Sequence, residues 1–101
     1  PQRAARHNAR AVIFGRRGGP GDYEIALEEA RRAKSLAPED PLYRVTAAQA
    51  LLALGSREEA AEELRQALRI PTASRSAQDA RPKILRMLGD LQRGPQRPSR
   101  P

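Results

Sequence analysis

At 101 residues and 11.1 kDa the chain has room for one small domain, and a domain of that size buries only about 60 to 65% of the surface its unfolded chain exposes. It has no cysteine, which removes disulfides and thiolate chemistry, and no run of about 18 apolar residues that could span a membrane. With only Phe14, Tyr23 and Tyr43 aromatic, it also lacks the platforms on which single-stranded nucleic acid stacks.

The net charge of +7 is unevenly distributed. Residues 1–20 carry Arg3, Arg6, Arg10, Arg16 and Arg17 with no acid, residues 21–71 are net acidic, and residues 72–101 are again basic. Basic ends around an acidic centre point to anionic partners for the ends or to contact between the parts of the chain. The N-terminus is too rich in Arg and Ala for a signal-peptide core, which makes a cytoplasmic location the default expectation. Because it begins with Pro1, the chain is expected to be a processed product or part of something longer.

In chain order, Ala5, Ala9, Val12 and Ile13 recur at helical spacing and predict a first helix over 2–17. Gly18-Gly19-Pro20-Gly21 breaks it. Asp22 is expected to cap a second helix, whose stripe of Ala26, Ala30, Ala33 and Leu36 ends near Ala37 because Pro38 cannot continue it. Glu28 and Arg32 stand four apart on its outer side. Asp40 caps a third helix, with Pro41 in the first helical position. Val45, Ala48, Leu51 and Leu52 line one side of it, and Gly55 closes it. Ser56 and Glu59 have the spacing of a capping box for a fourth helix, which carries Ala60, Leu64, Ala67 and Leu68 and ends at Pro71. A polar connector over 72–76 leads to a last helix, expected to start between Asp79 and Arg81 so that Pro82 falls in its first turn. Its apolar face is Ile84, Leu85, Leu88 and Leu91, and the tail 94–101, half Pro and Arg, is expected to be extended or disordered.

Gly21, Gly55 and Gly89 recur at intervals of 34 residues. Ala26 and Ala60, Ala30 and Leu64, Ala33 and Ala67, and Leu36 and Ile70 keep the same offset. Together with Pro38 and Pro71, this pattern resembles the tetratricopeptide repeat, whose unit is 34 residues of helix, turn and helix. The match covers Gly21 to Pro71, with Gly21, Ala26, Ala33, Pro38, Gly55, Ala60, Leu64 and Ala67 as its defining positions. It departs from the family's pattern where Arg44 replaces a large aromatic and where Pro71 comes one residue early. The resemblance implies an all-α fold of helical hairpin repeats, a right-handed solenoid of about two and a half repeats and five helices. Its parts would be a basic first helix and Gly-rich turn (1–20), a repeat core (21–71), a connector with a capping helix (72–93) and the tail (94–101). Alanine-lined hairpins gain most of their burial by stacking, so the end helices, further repeats or another chain are expected to cover them.

The resemblance further implies a groove for a peptide segment along the first helices of the repeats. Carried over, that face would present Asn8, Val12, Arg16, Val45, Gln49, Leu52 and Ala53, then Lys83, Arg86 and Met87. It is apolar at the centre and basic at the rims, which suits a protein segment with an apolar anchor and acidic flanks, although Val45 and Leu52 read equally well as core. The positions of the family's carboxylate clamp hold Thr46, Ser76 and Ala80, which cannot form it. Glu58, Glu59, Glu62 and Glu63 read as a solvated face near a helix N-terminus, and His7 as a surface residue. No nucleophile, base and oxyanion donor can be assembled, so the expectation is a non-catalytic interaction module without metal or cofactor. The alternative is an RNA- or ribosome-associated accessory protein that binds through its arginine-rich ends.

Overall fold

The computed structural model describes residues 2–71 and 74–93, and there it is all-helical, with five helices and no strand. They are α1 (Gln2–Arg17), α2 (Asp22–Leu36), α3 (Pro41–Ala53), α4 (Arg57–Arg69) and α5 (Arg75–Gln92). Each helix packs on the next in the chain, and α3 also touches α1 and α5. The backbones of α2 and α4 stay apart and are bridged by long side chains, with Lys34 Nζ 2.7 Å from Glu63 and Arg31 Nη2 3.9 Å from Glu59.

Most of the buried apolar residues are alanines, and Leu64, Ile84 and Val45 are the largest fully buried apolar side chains. The main cluster joins Ala26 and Ala30 of α2, Val45, Ala48 and Leu51 of α3, Ala60, Leu64 and Ala67 of α4, and Ile84 and Leu88 of α5. A second, smaller cluster of Ala4, Ala33, Ala37 and Tyr43 seals the other end of α1 against α2 and α3. Small side chains at these contacts let the helix axes approach closely, and each contributes little burial by itself, roughly 0.8 kcal/mol per CH₂.

Polar ties inside the hairpins follow one pattern. Glu29 of α2 is buried and accepts from His7 Nδ1–H of α1 at 2.6 Å; Glu63 of α4 accepts from Arg44 Nη1–H of α3 at 3.1 Å. The two acids are 34 residues apart in the sequence. Arg44, which stands where the resembled family keeps an aromatic, is half-buried and also donates to Gln66 at 2.6 Å, so the position is filled by a hydrogen-bonded cation instead of a ring. Glu63 therefore turns inward, whereas a solvated face was expected.

Helix ends correct several expectations. Asp40 caps α3 by accepting from the Leu42 amide, with Pro41 at the first helical position. Gly55, at φ +84°, closes α3 with two bonds, its own amide to Leu52 O and that of Ser56 to Leu51 O. Asp22, by contrast, is the first residue of α2 and not its cap; the cap is left-handed Gly21, and the Asp22 carboxylate reaches back to the Gly19 amide at 3.0 Å. Ser56 makes no side-chain cap bond, so the capping box with Glu59 does not form.

The largest correction concerns α5, which starts at Arg75 and carries Pro82 in its interior. An interior proline costs roughly 3 kcal/mol. Against it stand the Ser74 hydroxyl, which accepts from the Ala77 amide at 3.1 Å, and the burial of Ala77, neither of which belongs to a helix that begins after residue 78. Pro82 itself is exposed, so its ring does not disturb the packed side. The expected connector over 72–76 is thus shortened, since Ser74 is a cap and Arg75 and Ser76 are helical. Thr72, Ala73 and the tail 94–101 lie outside the described residues.

Gly55 and Gly15 separate backbone strain from side-chain space, since a Cβ at either meets nothing within 4 Å. Gly55→Ala forces a left-handed alanine and should destabilise by about 1–2 kcal/mol. Gly15→Ala, inside α1, should stabilise by about 0.5–1 kcal/mol. Urea denaturation of the two variants should move the midpoint in opposite directions; shifts of the same sign would refute the role given to Gly55.

Candidate functional site

The most coherent concavity is formed by α1, α2, α3 and α5 and has a volume of about 450 Å³. From α1 it takes Asn8, Ala11, Val12, Gly15 and Arg16, and from α3 Leu42, Val45, Thr46, Gln49 and Ala50. Both sets run i, i+3, i+4, i+7, i+8, which is one face of a helix, so two parallel strips of surface are presented side by side. Tyr23 and Ala26 of α2 and Lys83 of α5 complete the lining.

The floor is apolar and buried: Ala11, Ala26, Val45 and Ala50 form it, with Thr46, whose hydroxyl donates to Leu42 O at 3.1 Å. Arg16, Leu42, Gln49 and Lys83 are exposed at the rim, and Val12, Asn8 and Tyr23 are half-buried. Arg16 and Lys83 are the charged side chains lining the cavity, and no carboxylate lines it. Asn8 Oδ1 is buried and has no hydrogen-bond partner among the described residues. A buried acceptor left in that state costs about 1–3 kcal/mol.

Of the ten groove positions read from the sequence, Asn8, Val12, Arg16, Val45, Gln49 and Lys83 are brought together around this cavity, and Ala53 and Met87 do not line it. Val45 is 1% exposed and serves as floor, not as an accessible contact. Leu52 packs against the main core, and Arg86 is exposed elsewhere on α5; neither lines the cavity. The sequence reading missed Tyr23, Leu42 and Thr46. Leu42 and Thr46 lie three residues before and one after Val45 on the same helical face, so extending the α3 stripe by one turn would have found them. Tyr23 is set by the path of the chain through Gly18, where an added Cβ would meet the Tyr23 hydroxyl at 2.8 Å.

A larger depression, about 810 Å³, lies on the outer side of α1 and α2. Its lining alternates Arg3, Arg31 and Arg32 with Glu24 and Glu28, so it offers no field of one sign, and Ile25 and Leu36 are exposed in it. Beneath it His7, assigned to the surface by the sequence reading, is half-buried on Glu29. Both residues were visible in the pattern: His7 falls between Ala4 and Ala11, and Glu29 between Ala26 and Ala33, each at inner-face spacing.

Among the described residues no group of three or more His, Cys, Asp or Glu could hold a metal ion. No helix of the described residues is long and apolar enough to cross a membrane. On α4, Gln66 and Arg65 donate to Glu62 and hold its carboxyl below the ordinary carboxylate range. Comparison with protein-family models, with curated proteins and with solved structures gave no match.

The Glu29 carboxyl is also held below its ordinary value of 4.5, chiefly by the His7 hydrogen bond and further by the charges of Arg10 and Arg32, against the opposing effect of burial. A lowered folded pKa means that the unfolded chain takes up the proton first. The stability from ionised Glu29 is therefore complete above about pH 4.5 and is lost as the pH falls from there through the folded value. Urea denaturation from pH 7 to pH 3 should show a shallower acid limb for Glu29→Gln than for the parent chain; parallel limbs would remove Glu29 from the account.

Proposed function

We propose that the chain is a non-catalytic, tetratricopeptide-like scaffold that holds a peptide segment of a partner protein in the cavity between α1, α3 and α5. The observation that carries this reading is the lining itself: two matching helix faces with an apolar floor and two cations, Arg16 of α1 and Lys83 of α5. An extended or helical segment can lie along such parallel strips, with an apolar side chain over Val12 and Leu42 and acidic residues toward the two cations.

The solenoid arrangement belongs to this proposal. It is supported by the 34-residue interval, by the contacts of α3 with both α1 and α5, and by the separation of α2 from α4. In that arrangement α1 and α2, then α3 and α4, are successive hairpins and α5 begins a third. Gly21, Ala26, Ala33, Pro38, Gly55, Ala60, Leu64 and Ala67 would be its repeat-defining positions.

The reading is tested with a labelled peptide carrying a leucine pair flanked by glutamates and a second in which glutamines replace the glutamates. Fluorescence anisotropy should show the acidic peptide binding more tightly, by roughly tenfold or more for two partly desolvated charge contacts. Arg16→Gln with Lys83→Gln should abolish the difference. Equal affinity of the parent chain for both peptides would defeat the assignment of the basic rim.

A further inference from the structure

The outer edge of α1 carries arginines and no acid of its own helix, and only part of that charge is paired by neighbouring elements. Arg3, Arg6, Arg10 and Arg17 fall within about 60° of one another around the helix axis, and α1 contains no acid. All four are exposed. Arg10 lies 3.8 Å from Glu29 and Arg17 3.7 Å from Asp22, whereas Arg3 and Arg6 make no ion pair among the described residues. Arg3, Arg6 and Arg10 line, with His7 and Ala9, a concavity of about 460 Å³ that no carboxylate enters. Like charges at i, i+3 and i, i+4 oppose helix formation, so this spacing is unfavourable for the isolated fold. An anion bound along the edge would reverse that.

We propose that the arginine edge of α1 docks on the phosphate backbone of double-stranded RNA. Guanidinium forks match phosphate oxygens in pairs. Along α1, Arg3, Arg6 and Arg10 follow one another at rises of roughly 4.5 and 6 Å. A-form helices set successive phosphates of a strand closer together than B-form DNA does, nearer to that interval. The opposite sides of α1 are occupied by α2 and α3, so the helix is presented edge-on and cannot sink into a groove as a reader of bases. Edge-on contact suits A-form RNA, whose deep, narrow major groove excludes side chains and leaves backbone to be recognised.

Two other anionic surfaces fit less well. The bulky apolar side chain exposed beside the arginines is Ile13, with Ala5 and Ala9, too little to bury in a lipid headgroup layer. No aromatic ring is exposed on the edge to stack single-stranded bases, as Phe14 is half-buried with Arg17 5.3 Å from its centroid. The edge is separate from the peptide cavity, so either assignment can fail without the other.

The experiment titrates the full chain against a labelled RNA duplex, a DNA duplex of the same sequence, the single-stranded RNA and phosphatidylserine vesicles over a series of salt concentrations. The RNA duplex should bind most tightly, with log affinity falling linearly with log salt. Arg3→Gln with Arg6→Gln should reduce the salt slope by about two and weaken binding roughly tenfold. Both side chains are exposed and mutually repulsive, so the thermal melt of this variant should be no lower than that of the parent chain. Arg65→Gln with Arg69→Gln, which removes the same charge from α4, should leave slope and affinity unchanged. Equal weakening by the two double variants would overturn the proposal, as would DNA, single strand or vesicles bound as tightly as the RNA duplex, or binding insensitive to salt.

Discussion

An acid on the second helix of a hairpin, held by a base on the first, is the interaction around which the described structure is arranged. It occurs as His7 with Glu29 and again as Arg44 with Glu63. Alanine faces slide easily past one another, because a stripe of methyl groups has few features to set one axial position above the next. A buried carboxylate cannot slide, since losing its partner leaves a desolvated charge at a cost well above that of a shifted methyl contact. The ties therefore fix the relative height of the helices, while alanine fixes their distance. Lys34 extends the second tie to α2, which places α4 against the preceding hairpin although their backbones do not meet.

The same two constraints produce the cavity. Close approach through alanine brings α1 and α3 near enough for their matching faces to form one surface, and the fixed height sets those faces level. Leu42 and Val12 then stand on opposite walls over a floor of small residues. With a large aromatic at position 44 the pair to Glu63 could not exist, so the departure from the resembled pattern is tied to how the hairpin is locked. The lining combines two cations, Arg16 and Lys83, with the hydroxyls of Tyr23 and Thr46, and no group that could hold a metal ion is found among the described residues.

Punctuation was the most legible part of the sequence. Pro38, Pro41, Gly55 and Pro71 have effects that hardly depend on surroundings, and α2, α3 and α4 end or begin beside them. Pro82 misled because its effect is large locally and is offset by the turn before it, where Ser74 caps the helix and Ala77 is buried. Ser56 and Asp22 misled for a different reason. A side-chain oxygen at a helix start can serve several donors, and Asp22 serves Gly19. Of the candidate site, the positions on α1 and α3 were readable from helical phase, but which of them would be floor and which rim depended on how near α2 comes. Glu29 and Glu63 were hidden among acid pairs, where composition announces solvent and only phase against the alanine stripe points inward.

The order of contacts has a consequence for how the chain folds and opens. Every helix touches only its neighbours in sequence or the next but one, so no contact awaits the closure of a long loop. Such a chain is expected to fold quickly, to start from more than one hairpin and to open in pieces instead of all at once. Among the described residues the backbones of the first helix and the last do not meet; both pack on α3 as well as on their neighbours in sequence. A ligand laid from Arg16 to Lys83, as proposed above, would touch both the first helix and the last, coupling their opening without adding any contact between α1 and α5. Slowed hydrogen exchange at the two termini would then be a record of occupancy at the centre.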